Sequence, residues 1–179
     1  FTTPGALGKK LQVLVLRIAW EDQPGDAPIE ITGNVQEVLD STALYYEDSS
    51  YGSLRIEYTY APVLTFTASD CPSTSCGTST LKELAVVKAS AAGYVYCGLA
   101  CGRDPAAVGS YDAVVLFVRA HNPAWTTWSG LGVVGGGFTW LQYPTSAAVV
   151  EHEIGHNFGF AHGAWANGER DSLPELSRM

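Results

Sequence analysis

The chain has 179 residues, 46% hydrophobic and 16% charged, enough apolar material for a single domain with its own core and too much for a disordered chain or a solvated helical rod. With 18 acidic against 10 basic side chains the formal net charge is -8, which excludes the basic footprint that nucleic acid and anionic membrane surfaces demand. The most apolar stretches, residues 11–16 (interrupted by Gln12) and 113–118, fall far short of the roughly 20 residues of a bilayer span, so no membrane insertion is expected.

The chain opens Phe1-Thr2-Thr3, without an initiator Met, a basic segment or an apolar stretch, and no signal peptide is expected in it. Residues 11–20 read as a buried strand, apolar and β-branched at their centre. A Pro-Gly-Asp loop at 23–28 precedes a helix over about 34–45, where Val35, Val38 and Leu39 recur at helical spacing. Residues 53–67 alternate and are rich in aromatic and β-branched types, which predicts a strand broken or bulged at Pro62. The turn-rich stretch around Cys71 and Cys76 leads into a helix over about 78–92, stopped by Gly93. Cys97 and Cys101 flank the next loop. An even number of cysteines placed in loops suggests two disulfides and an oxidising compartment; three pairings are possible, and the two local ones need the least assumption.

Residues 111–118 predict a fully buried strand, followed by a loop carrying His121, Trp125 and Trp128. A glycine-rich run at 130–137 and a short alternating strand at 138–142 lead into a helix from about Ser146, with Val149, Val150, Ile154 and Phe158 on it. The residues from about 164 onward are polar and read as irregular. Strands and helices in this order imply an α/β-type layered body with a loop-built tail, and nothing divides the chain, so 1–179 is expected to be one domain.

His152-Glu153-Ile154-Gly155-His156 lies inside that last helix. Residues at i and i+4 share one face, about 5–6 Å apart at Cβ, the separation two imidazoles need to meet one Zn²⁺. Glu153 is displaced around the helix, where its carboxylate can reach a water beside the metal. Gly159 can end the helix in the left-handed conformation and let the chain turn back, returning His162 as a third ligand. Three protein ligands leave a coordination position open, as catalytic sites require. This chain's composition would produce the whole pattern by accident with a probability on the order of 10⁻⁵. His121, beside Asn122-Pro123, reads as a loop residue.

The extended motif His-Glu-x-x-His-x-x-Gly-x-x-His resembles the metzincin clan of zinc endopeptidases. With the Asp-Ala-Val-Val strand, the Gly-Leu-Gly-Val-Val-Gly-Gly-Gly stretch and His-Glu-Ile-Gly-His-Asn-Phe-Gly, residues of about 110–163 are similar to the gametolysin family of algal matrix proteases. The resemblance implies an α+β, zincin-like domain: a mixed five-stranded sheet, two helices above the cleft and an irregular C-terminal subdomain. It also implies zinc, secretion, and a protein or glycoprotein substrate of the matrix or cell wall. Met179, the only methionine, takes the place of the clan's Met-turn, an apolar platform beneath the imidazoles. Since the clan continues through a pocket loop and a further helix, the chain is expected to be incomplete at its C-terminus. Substrate would add as an antiparallel strand to a sheet edge formed by residues 130–140, where Gly135 and Gly136 permit close backbone approach and Phe138 and Trp140 are candidates to line a subsite, the other reading being a surface hairpin with these aromatics in the core.

The expected activity is therefore endopeptidase hydrolysis with Glu153 as general base, then general acid. The competing reading is a zinc-stabilised, non-catalytic matrix or adhesion module; an intact Glu153 argues against it, because a purely structural site has no need of that carboxylate. A third reading keeps the enzyme but assigns it to the reprolysins, which place cysteines around and after the zinc helix, where this chain has none.

Overall fold

A computed structural model of the chain describes residues 9–98, 110–119, 121, 127–162, 164–166 and 169–171. The described chain is α+β. In order it forms β1 (Lys9–Trp20), α1 (Asn34–Ser49), β2 (Leu54–Tyr60), β3 (Leu64–Phe66), α2 (Thr78–Ala91), β4 (Val95–Tyr96), β5 (Ser110–Tyr111), β6 (Ala113–Val118), β7 (Gly130–Gly132), β8 (Phe138–Gln142), α3 (Ala147–Asn157), β9 (Ala164–Ala166) and β10 (Glu169–Asp171).

The main sheet has the order β2-β1-β6-β8-β7, with β3 also paired to β1. Every pairing is parallel except that of β7 with β8. Pro62 explains the division of the 53–67 run into two strands, since proline has no N–H to give a ladder. The break does not send the chain elsewhere. Ala61 N–H still donates to Val15 O at 3.1 Å, and β3 resumes pairing with β1 opposite Ile18–Trp20. Six strands therefore fill five positions of a mixed sheet.

Both faces of the sheet are covered, which is why its central strands are apolar without interruption. Along β1, Val13 and Val15 join one core with Val35, Leu39, Val150 and Ile154 from α1 and α3. Leu14, Leu16 and Ile18 join the other, with Leu81, Ala85 and Ala89 from α2. The first core fixes α3, and with it the motif, against the sheet. The second is closed by a disulfide between Cys71 and Cys76, whose Cα atoms are 5.1 Å apart. This is one of the expected local pairings. Cys97 is also disulfide-bonded, and Cys101 lies outside the described residues.

Among the described residues the tail is not wholly irregular, because β9 and β10 form an antiparallel pair. The sequence signal for it, Asn167-Gly168 between the two strands, is a strong short-range cue for a hairpin. No described helix is long and apolar enough to cross a membrane.

Candidate metal centre

The helix carrying the motif starts where its sequence can cap it. Ser146 Oγ accepts from Val149 N–H at 3.4 Å, satisfying one of the free amides of the first turn. Just before it, Thr145 exchanges two hydrogen bonds with the Asn34 side chain, at 2.8 and 3.0 Å, which pins the start of α3 to the start of α1. Val150 and Ile154 then face the sheet, leaving His152 and His156 together on another face, their ring centroids 4.7 Å apart.

The helix ends in a Schellman arrangement. Gly159 N–H donates to His156 O at 2.8 Å and Phe160 N–H to Gly155 O at 3.2 Å, with Gly159 at φ +95°. That left-handed residue reverses the chain and has two consequences. It brings Phe160 O onto His156 Nδ1, and it returns His162 to the helix face. A carbonyl oxygen only accepts, so Nδ1 of His156 carries the proton and Nε2 presents its lone pair. Fixing a ring this way through its other nitrogen is how metal-binding imidazoles are oriented.

The three Nε2 atoms converge. They are 2.8 Å apart for His152 and His162, 3.2 Å for His152 and His156, and 3.1 Å for His156 and His162. Nitrogens held tetrahedrally at 2.0–2.1 Å from one ion would stand about 3.3 Å apart, so the triangle fits a single small cation. With the lone pair of His156 Nε2 turned inward, one cation can take a lone pair from all three rings at once. His152 and His162 are exposed and His156 is buried, so the triangle faces solvent from a fixed base. Among the described residues, these three histidines can hold a metal ion.

Glu153 sits beside them, 8% exposed, and its carboxylate has no ion pair or hydrogen bond to any described residue. It is packed against β7, the end strand of the sheet, and the sequence makes room for it. A Cβ on Gly130 would lie 2.6 Å from Glu153 Cγ and 3.0 Å from Val149 Cγ1, and one on Gly132 would lie 2.9 Å from His156 Cβ. Only residues without a side chain let this strand approach α3 so closely. Two hollows meet at His152. One, of about 480 Å³, is lined by Tyr45, Tyr46 and Glu151 together with the three histidines. The other, of about 340 Å³, is lined by Ser129, Gly130, Val149 and Glu153.

Other sequence expectations fare differently. The edge strand is limited to Gly130–Gly132; Gly135 and Gly136 lie in the turn between β7 and β8, not on the edge. Gly135 is used for its φ of +68°, and its N–H donates to His156 O at 2.8 Å. Phe138 and Trp140 belong to the core, not to the face that carries the histidines. Both are buried with α2 on the opposite face of the sheet, their ring centroids 4.6 Å apart. Alternation put them on one face, and that face is the one turned away from α3. His121 meets Asp26 and takes no part in the histidine cluster. Met179 and Trp125 lie outside the described residues.

Three residues at the site carried no spacing signal. The Tyr46 hydroxyl donates to Glu151 O at 2.7 Å, and its ring meets Phe158 edge-on at 5.2 Å. Asn157 and Thr139 hydrogen-bond to each other in the interior, between α3 and β8. Comparison with protein-family models and with curated protein sequences gives no match.

Proposed function

We propose that this chain is the catalytic domain of a secreted zinc endopeptidase of the metzincin kind, most similar to the gametolysin family, with a zincin-like fold. The observation that carries the reading is the convergence of three imidazole Nε2 atoms beside a buried Glu153 that pairs with no described residue, at a sheet edge. A metal held only for structure is usually closed by a fourth ligand; among the described residues this set of three leaves a position open.

His152, His156 and His162 would hold the zinc, with His156 fixed by Phe160 O. Bound there, zinc supplies Lewis acidity, which polarises a carbonyl and brings the pKa of a water towards neutrality. Glu153 accepts the water's proton as the C–O bond forms and returns it to the nitrogen as the C–N bond breaks. The substrate backbone pairs with the free edge of β7, whose glycines hold it close to α3. An extracellular matrix or cell-wall protein is the substrate class that the resemblance suggests. The Cys71–Cys76 disulfide suits an oxidising compartment.

The test compares wild type with Glu153→Ala on a quenched-peptide library, with zinc content measured in both. One zinc in each is expected. Cleavage is expected in wild type alone, falling at least about 100-fold in the variant and abolished by a chelator. Zinc in both with cleavage in neither would favour the zinc-stabilised, non-catalytic module. No zinc in either would remove the site assignment.

A further inference from the structure

We propose that Asn157 is a positioning residue, one that registers the β7–β8 hairpin on the metal helix and so sets where a paired peptide meets Glu153. The proposal rests on the protease reading above and adds to it a residue that touches neither metal nor substrate.

Asn157 is the last residue of α3, adjacent in sequence to the ligand His156, and is 3% exposed. All of its side-chain hydrogen bonds go to the hairpin. Nδ2 donates to Val133 O and Phe138 O, both at 3.2 Å, one carbonyl from each side of the turn. Oδ1 accepts from Thr139 Oγ1 at 2.9 Å, and Thr139 is itself fully buried. Gly135 N–H adds a bond to His156 O at 2.8 Å. Four hydrogen bonds thus tie two consecutive residues of α3 to the segment 133–139.

The link matters because the hairpin's own pairing is short and does not set the height of β7 over α3. The edge strand β7 has three residues and one neighbour, paired at Gly130–Leu141, Leu131–Trp140 and Gly132–Thr139, with one more backbone bond at either end, Gln142 N–H to Ser129 O and Val133 N–H to Phe138 O, both at 3.0 Å. Two of those three residues are glycines, with no side chain to anchor the strand by apolar packing. A buried amide with both ends satisfied is specific in direction as well as distance, which an apolar contact is not. The amide therefore defines the height of β7 over Glu153 and His156, the dimension along which a peptide on that edge must match the metal.

The experiment uses Asn157→Ala and, in case that chain folds poorly, Thr139→Val, which keeps shape and removes the hydroxyl. Each is assayed with wild type on two peptides sharing one scissile bond. One is long enough upstream to pair along β7 and the other extends a single residue to either side. Zinc content is measured, together with amide hydrogen exchange at Gly135 and within α3. One zinc per chain is expected throughout, with kcat/KM on the long peptide down about 10- to 100-fold and much less loss on the short one, since ångström-scale misplacement costs rate on that order. Faster exchange at Gly135 with α3 amides unchanged is also expected. Equal losses on both peptides, loss of zinc in step with activity, or unchanged Gly135 exchange in both variants would each overturn the proposal. A wild type that binds zinc yet cleaves neither peptide overturns the protease reading and the substrate role with it. Gly135 exchange then reports on the hairpin link alone.

Discussion

Tyr46 on α1 donates its hydroxyl proton to the carbonyl of Glu151, the residue immediately before the first histidine of the motif. Burial pushes the Tyr46 pKa up, with the neighbouring Tyr45 and Glu151 adding to the shift, so the hydroxyl stays a donor well into alkaline solution. Tyr46→Phe keeps the ring against Phe158 and deletes only the donor. The expected cost is about 1 kcal/mol in urea unfolding at neutral pH, with zinc content unchanged. Above the ordinary tyrosine range the unfolded chain loses a proton that the folded chain keeps, so wild-type stability falls as pH rises. The variant lacks that component, and its alkaline limb should be flatter.

Tyr58 makes the opposite case. Its hydroxyl is buried with no hydrogen-bond partner, and desolvation, the largest influence, pushes its pKa up. Removing a polar group that folding strips of water, without breaking any bond, releases a penalty. Tyr58→Phe should therefore leave the urea midpoint unchanged or raise it, and a fall of more than about 1 kcal/mol would contradict this account of the site.

Gly159 adopts φ +95° with nothing within 4 Å of where a Cβ would sit, so an alanine there meets strain and no clash. Left-handed backbone costs an L residue about 1–2 kcal/mol. The turn can bear the strain or relieve it by loosening His162, and either way the zinc-loaded form loses about that much stability. Thermal melts with and without zinc would separate the two routes. Gly25→Ala, at a glycine with open space and no positive φ, is the control and should change neither melt.

Asp70 is held below the usual carboxylate range, first by the Thr67 amide at 3.1 Å and then by Lys88, also at 3.1 Å. A carboxyl whose pKa is lower in the folded chain stabilises it above the unfolded value, and that contribution disappears as pH falls through the folded value. Asp70→Asn should accordingly unfold at lower urea than wild type at pH 7. The gap should close in acid, and a gap that is constant with pH would assign it to something other than the charge.

The order of strands and helices was legible because each element carries its own period or its own punctuation. Pro62 marked the break between β2 and β3, and Gly93 followed the end of α2. The histidine set was legible for the same reason, since helical spacing and one left-handed glycine place all three rings. Direction across the sheet was not. In Phe138-Thr139-Trp140, alternation fixes that the two aromatics share a face, but only the packing of α2 on one side and α3 on the other decides which. Nor was the value of Gly130 and Gly132 readable, because it lies in Glu153 and His156 some twenty residues further on. Tyr46 and Asn157 share that character: their roles consist of bonds between elements distant in the chain.

All three candidate metal ligands and Glu153 fall within residues 152–162, a span shorter than many single loops. The sheet beneath them is assembled from remote partners, with Val13 beside Ala113 and Lys9 beside Leu54. Bringing such partners together carries a loop-closure cost that grows with the separation, whereas the ligand set closes over one helix and one turn. Under the proposed function, metal capture and cleft assembly would thus be separable events. A chain that has lost its sheet still carries a complete set of ligands on one short stretch, while the β7 edge that would receive a peptide exists only in the finished fold.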